Sequence, residues 1–104
     1  MSNVEYQSGD LIFEWDSEKA KLNWQKHNVQ FEDATKVFED EERIDYLDEE
    51  HSDYEDRYIT IGKVDRILFV VYTEREDRTR IISARKADKT ERRRYYGNSN
   101  IYFA

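Results

Sequence analysis

Two spacings of apolar residues divide the chain. From about residue 17 to residue 40 they recur every three to four positions; from residue 57 to residue 85 they alternate or run together. The first is the period of a helix with one buried face, the second that of β-strands. Ahead of both, LIFEW (11–15) is a short apolar run that predicts a strand. Asp16 then offers an N-cap for SEKAKLNWQKH, and Asn28 stands where a left-handed C-cap is wanted. FEDATKVFED predicts a second helix, with Phe31, Ala34, Val37 and Phe38 on one face.

The remaining runs predict strands. RIDYL (43–47) is weak, RYITIG (57–62) places Ile59 and Ile61 on one face, and RILFVVYT (66–73) is apolar nearly throughout, as a covered central strand would be. TRIISAR (79–85) is β-branched at its middle, and the polar connections KVDR and EREDR are short, so residues 57–85 read as an antiparallel meander. Asp88 with Glu91 resembles a capping box for a last helix, KTERRRYY. The order predicts an α+β domain. It has one antiparallel sheet of four to five strands packed against two N-terminal helices, helices on one face, and a C-terminal helix. The core spans about 11–96, with 1–10 and 97–104 as tails of a single domain, 1–104.

Composition narrows the chemistry. The chain of 104 residues has no Cys, which excludes disulfides, thiolate metal sites and a thiol nucleophile. No apolar run reaches membrane-spanning length, and MSNVEYQSGD lacks the basic-then-apolar pattern of a secretory signal, so a cytoplasmic protein is expected. The net charge is −7, yet it is segregated: residues 1–56 carry 18 acids and 5 bases, residues 57–104 carry 6 acids and 12 bases. Fields act locally, so the carboxy-terminal half can meet an anion while the most acidic stretch, 39–56, faces elsewhere.

Three groups of residues can do chemistry. Lys26 and His27 end the first helix at the border of a stripe formed by Ala20 and Trp24, which can face the core. There they could grip a phosphate and move a proton, or His27 could simply favour the helix dipole. His51, Glu55 and Arg57 enter a strand; Glu55 and Arg57 are either a local ion pair or an acid/base pair beside a phosphate, and the spacing matches no strong metal motif. Strand alternation puts Arg78 and Arg80 on one face with Ile82 and Ala84, and Arg85 on the other with Ile81 and Ser83. Arg beside core-type residues suits a shielded anion site, which favours Arg80 and Arg85. Arg75 supports them, and Arg92 and Arg93 cover a surface that meets phosphates or an acidic partner. Tyr95 and Tyr96 either stack on a base or complete a core. There is no Gly-rich phosphate loop, nucleophile elbow or zinc-protease helix.

Four blocks in order carry a resemblance: the W-D-x-x-K-A-x-x-N start at Trp15, the K-H-x-V-x-F break at Lys26, H-S-x-x-E-x-R at His51, and E-R…R-I-I-S-A-R-x-A from Glu74 to Ala87. Between about residues 13 and 96 the chain resembles the BrnT toxins of bacterial type II toxin–antitoxin systems. Asn28 stands where that family usually has Gly, and both accept the left-handed conformation. The resemblance implies a RelE-like fold and a ribonuclease that blocks translation. It also implies neutralisation by a BrnA-type ribbon-helix-helix antitoxin, with operator DNA bound only through the complex. Without metal or other cofactor, the 2′-hydroxyl of RNA would attack the adjacent phosphate. His27 would carry the proton with Lys26 beside it, Glu55 would be a possible base, and His51 a reserve. Arg80 and Arg85 would hold the phosphate and its transition-state charge with Arg57 and Arg75 in support, and Arg75, Arg78, Arg92 and Arg93 would bind RNA. The alternative function is a non-catalytic or decayed toxin fold that binds a partner.

Overall fold

The computed structural model describes residues 2–97 and places the helices and strands around one mixed sheet. Strands β1 (Asn3–Ser8) and β2 (Leu11–Asp16) form a hairpin; α1 (Ser17–His27) and α2 (Phe31–Thr35) follow, α2 running on into a 3-10 turn, Lys36–Glu39. Strands β3 (Ile44–Leu47), β4 (Tyr58–Val64), β5 (Arg66–Arg75) and β6 (Arg78–Lys86) precede α3 (Lys89–Gly97). The six strands lie in the order β1-β2-β6-β5-β4-β3. All pairs are antiparallel except β2 with β6, which is parallel over Ile12–Glu14 and Arg78–Arg80.

This corrects the expected sheet in three ways. It has six strands rather than four to five, it is mixed rather than antiparallel, and part of the expected amino-terminal tail is β1. Strand β1 escapes notice because only Val4 and Tyr6 are apolar in it; both pack on the core through pairing with Trp15 and Phe13. Residues 98–104 of the other expected tail lie outside the described residues.

The helices also divide between the two faces. Phe13, Trp15, Leu68, Val70, Tyr72, Ile81 and Ala84 point to one face and join Val29, Phe31, Ala34 and Val37 from the α1–α2 region in the main core. Ile59, Ile61 and Ile67 point to the other face and meet Ala87 and Tyr95 at and near α3. On the main-core face the 3-10 turn presses on β4 at Gly62, where a Cβ would stand 2.6 Å from Val37 Cγ1. On the second face α3 is moored by the Tyr95 hydroxyl, which donates to Asp40 at 2.6 Å. Burial pushes the Asp40 carboxyl up, but the bonds from Tyr95 and from the Lys63 and Glu42 amides outweigh it and hold it below the usual range.

Helix α1 begins and ends as its caps predict: Asp16 accepts from the Lys19 amide, and Asn28 is left-handed at φ 58°. Its inward residue is not Trp24, which is 46% exposed, but Asn23. Strand β2 stops pairing with β6 at Arg80, which leaves the backbone of Ala84 without a neighbouring strand on that side. Asn23 takes that place, donating to Ala84 O at 2.8 Å and accepting from Ala84 N at 3.1 Å, with a further bond to Val29 O. Buried backbone groups need partners, so the amide outranks the indole for this position.

Candidate active site

Between α3 and the residue 48–57 segment the second face of the sheet is uncovered. The cleft there has a volume of about 430 Å³, with Ile59, Phe69, Val71 and Ile82 as its apolar lining and Arg57, Arg85, Ser83 and His51 among its polar groups. Asp48 and Glu50 complete it.

A β-bulge decides which cations share this face. Strand β6 pairs Ile81 with Tyr72 and Ser83 with Val71, so Ile82 is an extra residue. Ahead of it Arg80 pairs with Thr73; beyond it Arg85 pairs with Phe69. Thr73, Val71 and Phe69 share one side of β5, so Arg80 and Arg85 share it too. Simple alternation predicts opposite sides; the inserted residue reverses the parity.

Arg85 is fixed from three directions. Its guanidinium lies 3.9 Å over the Phe69 ring, Nη1 and Nη2 donate to the two Glu91 carboxylate oxygens at 2.8 and 2.9 Å, and Nη1 also reaches Lys86 O. The Glu91 carboxylate holds the Arg85 pKa above its ordinary value against the effect of burial. Glu91 is also the outer half of the expected capping box, accepting from the Asp88 amide while Asp88 accepts from its own. Arg57, by contrast, has no carboxylate within ion-pair distance among the described residues. A guanidinium with an open fork is the group best suited to a phosphate.

The other predicted cations and Glu55 stand outside the cleft lining, most of them held by partners of their own. Arg75 forms a two-pronged pair with Glu55, at 2.9 and 3.2 Å. That bond leads the effects that hold Glu55 below its usual pKa, which makes it a weak proton acceptor, and the charges of Arg57 and Arg80 add to it. Glu55 therefore pairs with Arg75 rather than with Arg57. Arg80 donates to Glu14 at 2.9 Å and to Asn3 at 2.8 Å, and Arg78 is paired with Glu5, Glu14 and Asp77. Burial pushes the Glu14 carboxyl up, but the bonds from Arg80 and Asn3 prevail and its pKa falls. These two arginines spend their charge on tying β1 and β2 to β6. Arg92 donates to Ala87 O, and with Arg93, Lys89 and Tyr96 it lines a separate basic hollow on α3. Tyr95 joins the core, and Tyr96 is exposed.

The two histidines exchange ranks. His27 does not line the cleft. Burial first, then the Lys26 and Arg85 charges, lower its pKa below the ordinary 6.5. His51 does line the cleft, and its Nδ1 faces the Asp48 carboxylate at 3.0 Å. A carboxylate that orients an imidazole through Nδ1 leaves Nε2 available for proton transfer. Among the described residues no three metal-ligating side chains converge, and no helix is long and apolar enough to cross a membrane.

Comparison with known proteins bears on the family and the fold. Residues 15–91 match the family described as "Ribonuclease toxin, BrnT, of type II toxin-antitoxin system". Among solved structures, the crystal structure of the Brucella abortus ribonuclease toxin BrnT is similar in fold. It has a TM-score of 0.55 and 24% sequence identity, over 72% of this chain and 94% of that one. Comparison with the curated proteins gives no match. The family match runs from the end of β2 to the first turn of α3, well over half of the chain, and on that ground the chain belongs to the BrnT family of type II toxin–antitoxin ribonuclease toxins.

Proposed function

We propose that the cleft on the second face of the sheet is a metal-independent endoribonuclease site. The observation that carries this reading is the convergence of Arg57, Arg85 and the Asp48-supported His51 on one hollow. Arg57 receives the phosphate with its open fork, and Arg85, already immobilised, offers its remaining N–H groups to the charge that builds on the phosphoryl oxygens. His51 takes the proton of the ribose 2′-hydroxyl as that oxygen attacks phosphorus. The P–O5′ bond breaks, water protonates the departing oxygen, and the products carry a 2′,3′-cyclic phosphate and a 5′-hydroxyl. Cleaved RNA arrests translation. A ribbon-helix-helix antitoxin of BrnA type neutralises the toxin in the cytoplasm, and the complex reaches operator DNA through the antitoxin.

Purified variants test the assignment. Arg57→Ala and His51→Ala should each lower RNA cleavage by about 10²–10³-fold with unchanged circular dichroism. His27→Ala, whose imidazole stands outside the cleft, should cost far less. Cleavage at the wild-type rate in folded Arg57→Ala would refute the reading, and a larger loss in His27→Ala than in His51→Ala would return the proton transfer to α1. Products are read by the chemistry of their ends.

A further inference from the structure

The cleft holds more apolar surface than a phosphate site needs. Ile59 in its lining is buried against the α3 side, but Phe69, Val71 and Ile82 are only half-buried, with Arg57 and Arg85 on one hand and Asp48 and Glu50 on the other around them. Leaving such surface to water is unfavourable, and a phosphodiester has nothing to offer it. A duplex would present phosphates and riboses with its bases stacked inside. An unpaired nucleotide presents both an anion and a flat apolar face.

We infer that the floor formed by Val71 and Ile82 seats a single unpaired nucleobase whose adjoining phosphate lies on Arg57 and Arg85. Three features of the cleft fit this occupant. Its volume of about 430 Å³ falls in the range of roughly 300–1,000 Å³ typical of small-ligand sites, which suits one nucleotide and not a helix. Two cations stand in it beside Asp48 and Glu50: Arg57 has an open fork, and Arg85 presents a planar guanidinium, 3.9 Å over the Phe69 ring, against which a base can also stack. The bulge at Ile82 brings an extra apolar side chain to the floor next to Ser83, which supplies the hydroxyl in the lining. This inference rests on the ribonuclease reading and adds to it the form of RNA taken: a strand unpaired at the cleavage point.

The test uses the whole protein and a short 2′-O-methyl oligoribonucleotide, which binds without being cut. Abasic nucleotides are placed at each position in turn. One position should lower wild-type affinity on the order of tenfold, and annealing the oligonucleotide to its complement should abolish specific binding. Ile82→Ser should lose the same factor with the intact strand and show no further loss with the abasic one; Val71→Thr, nearly isosteric, should repeat the pattern if Ile82→Ser folds poorly. Equal losses from the abasic position in wild type and variant would overturn the base seat, as would equal affinity for single and double strands. A protein that cleaves RNA but ignores the abasic substitution loses only the seat; one that neither binds nor cleaves RNA loses the ribonuclease reading as well. If Ile82→Ser keeps its RNA affinity and instead releases the antitoxin, the floor is a protein interface and the proposal fails.

Discussion

At the scale of single residues, the cleft works through what each charge has already been given. Arg78 and Arg80 face carboxylates on β1 and β2, Arg75 faces Glu55, and Arg85 faces Glu91, so Arg57 keeps the most open fork. Counting Arg residues along the chain could find all five and could not rank them, because their partners lie up to 77 positions away in sequence. The histidines show the same limit: His51 gains Asp48 only three positions away, yet its place in the cleft depends on the distant strands. His27 makes its own prediction. Its pKa is lowered in the fold, so the unfolded chain binds the proton more readily. Stability is therefore full above the ordinary value of 6.5 and declines as pH falls through that value toward the lowered one. Melting curves between pH 7.5 and pH 5.5 should show this slope in wild type, and His27→Gln should flatten it.

At the scale of elements, the sequence was most readable where local chemistry closes a structure. Asp16 and Asn28 bound α1, Asp88 and Glu91 open α3, and the four later strands occupy nearly the predicted ranges. It was least readable where a distant element decides. The adjacent Ile81 and Ile82 are both apolar, so composition gives no sign that one of them is a bulge, and the faces of Arg80 and Arg85 were misjudged in consequence. Trp24 outranks Asn23 on hydropathy, but the bare backbone of Ala84 is invisible until the sheet is assembled. That contact is testable. Asn23→Ala would leave the Ala84 amide and carbonyl buried without partners, at about 1–3 kcal/mol for each orphaned group. Chemical denaturation should show a loss of at least about 2 kcal/mol, while Trp24→Ala, on the exposed side of the same helix, should cost much less.

At the scale of the whole molecule, the charges are separated along the sequence but not in space: the acidic stretch 39–56, expected to face elsewhere, enters the cleft itself. The acids of residues 39–56 reach the cleft at Asp48 and Glu50, and the cations come from β6 and the entry to β4. RNA affinity should accordingly depend on salt, but weakly. Two phosphate contacts, at Arg57 and Arg85, predict a slope of about −1.4 in a plot of log affinity against log salt for a single strand. A slope near −3 would bring Arg92 and Arg93 into the contact, and substituting both by Ala would then return it toward the lower figure.

The parallel pairing of β2 with β6 joins Glu14 to Arg80, 66 positions apart, and Arg85 takes its posture from Glu91, farther on still. A nascent chain emerging from the ribosome therefore has no cleft until its last strand and the first turn of α3 are free. Synthesis itself delays assembly of the cleft: the β1–β2 hairpin and α1 leave the ribosome first, and Arg85 takes its posture only after Glu91 has followed it out.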